Sequence, residues 1–385
     1  MSVCLKFNDI FSIHVKLYIM FKLALLKTIS TVFLFALAAF SHAQSNVARL
    51  GQIVPLSGGL ANVGKEINEV TKATIAQHNN QSKLQIELFT EDDGNQPDRS
   101  TAAVTTLSNR VIGFVSCFGT VSCLAQMQAT QDLGIPLIGP VAGAPQLRDK
   151  QAKHVFTIRA SAADELSRLI KFSQAVGFTQ LTVAVQEDGF GQAYQKALIQ
   201  VLEGSGIQVK EIAQFNPQKP NYDAIAKSLQ KTPSNALLLL ANATHSIGIL
   251  KSLNSQGAFP FVLNLPGQAN AMFANGMKSY KGGVSFATVT HSPWDKKLQL
   301  QRDYHETMAA ANITNYSYLG FEAYMNARIA IEAVVQSRQL TPNSLRGTLE
   351  SGRFSIGGWE WRKADPYAAR FTDLAILRAD GTYRH

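Results

Sequence analysis

The sequence predicts an α/β protein built as two lobes, each a parallel sheet with helices on both faces. Three observations lead there. The chain has 385 residues, more than one ordinary core needs and enough for two lobes of about 100–200 residues each. Strand-like and helix-like segments alternate along most of it, the pattern that builds parallel sheets. That alternation then runs a second time, which asks for a second sheet.

The elements follow in order. Residues 49–55 form a short apolar strand that ends in Pro55-Leu56-Ser57-Gly58-Gly59. A helix is expected over 63–78. Leu84-Gln85-Ile86-Glu87-Leu88-Phe89 alternates at period two and reads as a strand. Helix 97–109 opens on Pro97, which suits a first turn. Strand 111–116, helix 121–132 and strand 135–139 complete the first series. The second series is strand 154–158, helix 164–176, strand 181–185, helix 192–203, strand 207–213 and helix 222–230. It continues with strand 236–240, five apolar residues in a row, helix 245–255 and strands 259–263 and 282–288. Long helices are expected at 297–311, 318–337 and 342–350, and the tail 354–377 is β-rich.

The N-terminus reads as an address rather than as part of the fold. Lys22 and Lys27 precede an apolar run over 29–40, followed by the small-x-small triplet Ser41-His42-Ala43. Those three features make a secretory signal peptide over 1–43, cleaved before Gln44. The apolar run is shorter than the about 20 residues that span a bilayer. Met20-Phe21-Lys22 opens a conventional n-region, which marks Met20 as an alternative start. The expected location is the periplasm.

Composition excludes several classes. The chain is 46% hydrophobic and 16% charged, as a globular protein should be. Its formal charge of +9 falls to +6 once Lys6, Asp9, Lys16, Lys22 and Lys27 leave with the leader. The remaining basic residues are scattered and form no run interleaved with aromatics, so a nucleic-acid partner is not expected. Of three cysteines, Cys4 lies in the leader, leaving Cys117 and Cys123. In an exported protein such a pair suggests a disulfide, two buried thiols being the alternative.

Enzyme motifs are absent or broken. The segment Gly59-Leu60-Ala61-Asn62-Val63-Gly64-Lys65-Glu66 approaches a phosphate-binding loop. Glu66 stands where the Mg²⁺-holding hydroxyl belongs and would repel nucleotide phosphates. Glu91-Asp92-Asp93 is a carboxylate cluster at a strand end, read as a solvated terminus rather than a metal or acid–base site. The histidines, among them His245, His291 and His305, lack ligand spacing, and no nucleophile elbow occurs. No enzyme, cofactor or metal is expected.

Ligands of open parallel sheets sit outside the carboxyl ends of the strands. The loops there are rich in small residues: Leu56-Ser57-Gly58-Gly59, Phe118-Gly119-Thr120-Val121-Ser122 and Pro140-Val141-Ala142-Gly143-Ala144. Small side chains admit a ligand close to the backbone, and each loop enters a helix whose free N–H groups favour an anion. The first lobe is therefore expected to receive a carboxylate or similar polar end.

Gln52-Ile53-Val54-Pro55-Leu56-Ser57-Gly58, Glu91-Asp92-Asp93-Gly94 and Gly134-Ile135-Pro136-Leu137-Ile138-Gly139-Pro140 carry a resemblance. Glu187-Asp188-Gly189-Phe190-Gly191 and Tyr318-Leu319-Gly320-Phe321-Glu322-Ala323-Tyr324 extend it. In this order they resemble the leucine/isoleucine/valine-binding protein family, type I periplasmic solute-binding proteins of ABC transporters. The resemblance implies two Rossmann-like lobes with parallel sheets, joined by three hinge crossings near 159–163, 286–289 and 352–355. The first lobe would then hold 44–160 and 288–352, and the second 161–287 and 353–385.

It also implies capture of a small polar metabolite by hinge closure and its delivery to a membrane permease by a monomeric receptor. The alternative is a soluble sensing receptor that partners a separate signalling protein. The implied ligand contacts are Ser57, Gly119, Thr120, Val141, Ala142 and Gly143 in the first lobe. Phe190, as a covering aromatic, Asn242, Pro266 and Gly267 supply the second.

The chain departs from the amino-acid-binding pattern at three places. Gly143 replaces a usual hydroxyl, Val63 stands where an aromatic is common, and the acid that pairs with an α-ammonium aligns near Pro266. A buried ammonium without its carboxylate is unfavourable by several kcal/mol. A carboxylate without an amine, an amide or an aromatic acid is therefore expected on equal terms with an amino acid.

Overall fold

The computed structural model describes residues 46–365, 369–378 and 380–384. The expected leader and the alternative start at Met20 lie outside the described residues.

The first sheet has five parallel strands, β1 (Val47–Val54), β2 (Gln85–Asp92), β3 (Gly113–Val115), β4 (Leu137–Ile138) and β5 (Val155–Phe156), in the order β2-β1-β3-β4-β5. Helices α1 (Ala61–Gln81), α2 (Pro97–Leu107) and α3 (Thr120–Gln131) connect them. The chain then passes through 157–161 into α4 (Ala162–Ala175) and a second sheet. Its strands β6 (Gln180–Gln186), β7 (Gln208–Phe215), β8 (Ala236–Leu240), β9 (Phe261–Asn264) and β10 (Val284–Thr288) are parallel, in the order β7-β6-β8-β9-β10. Helices α5 (Gly189–Leu202), α6 (Tyr222–Leu229), α7 (Ala243–Ser255) and the short α8 (Ala271–Gly276) accompany it. Both sheets thus reverse direction beside their first strand, and each offers a crevice at that switch point.

Both sheets are covered on both faces. In β8, Ala236, Leu238 and Leu240 enter one core while Leu237 and Leu239 enter another, and all five are at most 1% exposed. A run of five apolar residues is what a strand buried on two faces requires. In the first sheet Leu50, Val115, Ile138 and Phe156 face one core and Ile53, Phe114, Leu137 and Val155 the other.

After β10 the chain returns to the first lobe through α9 (Gln299–Ala310), α10 (Tyr318–Gln336) and α11 (Pro342–Ser351). The hairpin of β11 (Phe354–Ile356) and β12 (Trp359–Trp361) follows. Phe354, Ile356 and Trp361 are buried in the first lobe's core. The third crossing is expected at 352–355, and the hairpin that follows packs its apolar residues on the first lobe. Strands β13 (Asp373–Leu377) and β14 (Tyr383–Arg384) then add an antiparallel edge to the second sheet.

A candidate ligand cleft between the lobes

The carboxyl ends of both sheets face one cleft. Its walls come from the loops after β1 to β4 on one side and after β6, β8 and β9 on the other, with Arg159 of the first crossing between them. The cavity between these walls is small, about 60 Å³. The lobes are close: Thr244 Oγ1 in α7 donates to the Gly59 carbonyl across the cleft at 3.0 Å.

Gly119 and Thr120 start α3, and the turn that presents them is braced covalently. Cys117 and Cys123 form a disulfide with their Cα atoms 5.5 Å apart. Val141 N donates to the Cys117 carbonyl at 2.8 Å, which ties this turn to the loop after β4. Gly119 has φ +82°, and a Cβ there would stand 2.8 Å from Asn95 Oδ1, so no other residue fits the turn without strain. No described side chain caps α3, which leaves its first N–H groups without intrahelical partners. Thr120 is 2% exposed, and its hydroxyl has no hydrogen-bond partner among the described residues. An anion's oxygens are the natural complement to that end.

The second lobe meets the cleft differently. Asp188 Oδ1 accepts from Phe190 N and Gly191 N, both at 3.0 Å, and so caps α5. Gln186 Nε2 donates to Asp188 Oδ2 at 2.6 Å, while Gln186 Oε1 accepts from Asn242 N at 2.8 Å. Asn242 Oδ1 in turn accepts from His245 N and caps α7. Phe190 is half-buried and packs at a tilt against Tyr194, ring centroids 4.7 Å apart.

A buried ionic cluster lies under the cleft at the first crossing. Arg159, 4% exposed, donates to Glu165 Oε1 of the second lobe at 2.6 Å. It also reaches Glu322 of the first lobe, at 3.2 and 3.3 Å. Tyr194 OH donates to Glu165 Oε2 at 2.8 Å. Burial works against the Arg159 charge, yet Glu165 and Glu322 beside it hold its pKa above the usual arginine range. Burial pushes Glu322 up to about 6 although Arg159 pulls it down. One guanidinium thus grips both lobes.

Of the sequence-predicted contacts, Gly119, Thr120, Val141, Ala142, Gly143, Phe190, Asn242 and Gly267 line this cleft. Ser57 and Pro266 do not. Ser57 is exposed, its N–H donating to Asp92 Oδ1 at 3.2 Å. Pro266 is buried in a short 3-10 turn that turns Gly267 and Gln268 to the cleft instead. Gly143 has a steric reason: a Cβ there would stand 2.5 Å from Tyr194 OH and 2.9 Å from Ala162 N. Val63 joins the wall, 1% exposed.

Sequence reasoning missed Arg159 as a wall residue, with Gln186, Asp188, Tyr194 and Gln268. Only Asp188 carried a local signal, an Asp-Gly pair before an apolar helix. The carboxylates at the end of β2 hold loops rather than water. Asp92 accepts from Leu56 N, Ser57 N and Gly94 N, and Arg99 pairs with it. Asp93, 0% exposed, accepts from Asn95 N and Ser100 Oγ. No group of metal-ligating side chains occurs among the described residues. Glu66, from the broken phosphate-loop motif, accepts a hydrogen bond from Ser317 Oγ.

The fold has solved counterparts. A possible leucine/isoleucine/valine-binding protein from Rhodopirellula baltica superposes with TM-score 0.81 at 19% identity, covering 89% of this chain and 96% of that one. A branched-chain amino acid ABC transporter protein from Thermus thermophilus, with bound valine, gives 0.76 at 14% identity, covering 89% and 95%. In sequence, an uncharacterized protein of Methanocaldococcus jannaschii is 22% identical over 201 residues, 49% of this chain. The chain spans about half the length of that curated relative, 48%. Among the described residues no helix is long and apolar enough to cross a membrane. The family described as periplasmic binding protein matches residues 47–381, nearly everything the two sheets comprise. The chain belongs to the periplasmic binding protein family and has its type I fold.

Proposed function

We propose that this chain is an exported receptor that captures a small carboxylate-bearing metabolite between its lobes and delivers it to the membrane permease of an ABC transporter. The observation that carries the reading is the uncapped start of α3, where the buried Thr120 hydroxyl lacks a partner at the cleft wall. The other walls are largely apolar, with Leu60, Val63, Phe118, Val141, Phe190 and Leu265 facing the same space. A carboxylate on a compact apolar body matches both features.

An α-ammonium has less to meet. Asp188 is the carboxylate that the second lobe brings to the cleft wall, and it already accepts three hydrogen bonds. The favoured ligands are therefore aliphatic or aromatic acids without an ammonium group. Export is supported by the apolar run 29–40 behind Lys22 and Lys27. Delivery to a permease is supported by the Thermus relative, an ABC transporter protein.

Capture works by population shift: a ligand that touches both walls binds the closed arrangement more tightly and so selects it. The test is a thermal-shift screen of amino acids, amides and aliphatic and aromatic acids, followed by small-angle scattering with the best binder. An acid should raise the melting temperature and reduce the radius of gyration. Binding without compaction would remove the closure mechanism, and stabilisation only by compounds lacking an acid group would remove the carboxylate assignment.

A further inference from the structure

Three buried polar atoms at the cleft wall have no partner among the described residues: Thr120 Oγ1, Arg159 Nε and Gln268 Oε1. The first lies in the first lobe, the second at the crossing and the third in the second lobe. Gln268 is 3% exposed. Its amide orientation is fixed by chemistry, because Nε2 donates to the Ala241 carbonyl, and a carbonyl can face only the NH₂ end of an amide. The amide oxygen of this cleft-lining residue is therefore a buried acceptor left without a donor among the described residues. Gln186, the other glutamine there, is engaged at both ends, by Asp188 and by Asn242 N.

A buried acceptor without a donor is unfavourable, and a ligand that supplies the donor gains what the protein lacked. The amide is neutral and gives a cation no charge to neutralise it. A hydroxyl or amide N–H meets that acceptor without bringing a charge into the cleft, whereas an ammonium brings a charge that needs a carboxylate. We infer that Gln268 is a specificity-determining residue: it accepts a hydrogen bond from a neutral donor on the ligand and so selects hydroxy or amido carboxylates over ammonium carboxylates. This rests on the cleft being a carboxylate site with Thr120 at the acid end.

The experiment uses matched probes measured by calorimetry on the mature protein. They are lactate and alanine, phenyllactate and phenylalanine, and the β- and γ-hydroxybutyrates with the corresponding aminobutyrates. The plain acids propionate, phenylpropionate and butyrate complete the set. In the wild type the best hydroxy acid should bind at least about tenfold more tightly than both its ammonium and its plain counterparts. Gln268→Met keeps the length but removes the acceptor, and should abolish the advantage of the hydroxy acid over the plain acid, read as the ratio of the two affinities within the variant. Gln268→Glu should lower the preference for hydroxyl over ammonium by about tenfold or more. An ammonium acid preferred by the wild type, or a hydroxyl advantage that survives Gln268→Met, would overturn the role of Gln268 alone. Failure of every carboxylate to bind the wild type would overturn the carboxylate reading beneath it.

Discussion

The two lobes present helix starts to the same cleft but treat them in opposite ways. In the second lobe the helix starts that line the cleft, those of α5 and α7, are capped by Asp188 and Asn242. In the first lobe α1, α2 and α3, beside the cleft, have no side-chain cap, whereas α10 and α11, outside its lining, are capped by Ser317 and Thr341. A cap typically stabilises by about 1 kcal/mol, so the first lobe forgoes that stabilisation where its helix starts face the cleft. Donors left free at α3 remain available to a ligand, and donors satisfied by Asp188 and Asn242 do not. The difference fits the proposed acid site in the first lobe, with the second lobe as its rigid support.

The largest effect should come from breaking what joins the two sides. Arg159→Met strands Glu165 and Glu322 in a buried site and should destabilise the fold by about 3–5 kcal/mol, read as a lower urea midpoint. Unchanged stability would mean that the guanidinium does not hold the lobes. Thr120→Val should weaken carboxylate binding by about 1–3 kcal/mol and leave the melting temperature of the free protein within a degree or so. Asp188→Ala should behave conversely, lowering stability by about 0.5–2 kcal/mol through loss of the α5 cap. If Thr120→Val proved the destabilising change, the contrast between the lobes would be misassigned.

The smallest effect concerns the carboxylate that holds the first lobe's loop after β1. Asp92 is pushed up by burial, but hydrogen bonds from Ser57, Leu56, Gly94 and Arg99 outweigh that and hold it below the usual carboxylate range. A carboxyl whose folded pKa is depressed stabilises above its unfolded value, near 3.8, and loses that contribution as the pH falls through the folded value. Asp92→Asn should therefore be less stable than the wild type at pH 6 by about 1 kcal/mol, the two converging at acid pH. Denaturant titrations at several pH values measure it, and parallel curves would show that the loop does not depend on this charge.

Much of this was legible beforehand. Residues 236–240 read as a strand and are β8 without adjustment, because burial on both faces writes itself into consecutive apolar residues. Strands β11 and β12 have three residues each, too few for periodicity to show which core they join. At the cleft, loops rich in small residues pointed to Gly119, Thr120 and 141–143. Ser57 and Pro266 lie outside the cleft lining because one loop is tethered to Asp92 and the other coils into a 3-10 turn.

The sequence by itself determined the alternation of elements, hence two parallel sheets, and the small-residue loops at their carboxyl ends. Those are properties of neighbours along the chain, set by side-chain period and backbone freedom. The tertiary structure alone decided which polar atoms meet across the cleft. Arg159 finds Glu322, 163 residues away, and Gln268 turns its amide to Ala241, leaving its oxygen without a donor. Hydrogen-bond satisfaction is a property of the folded neighbourhood, so no local pattern announces which acceptor is left for the ligand.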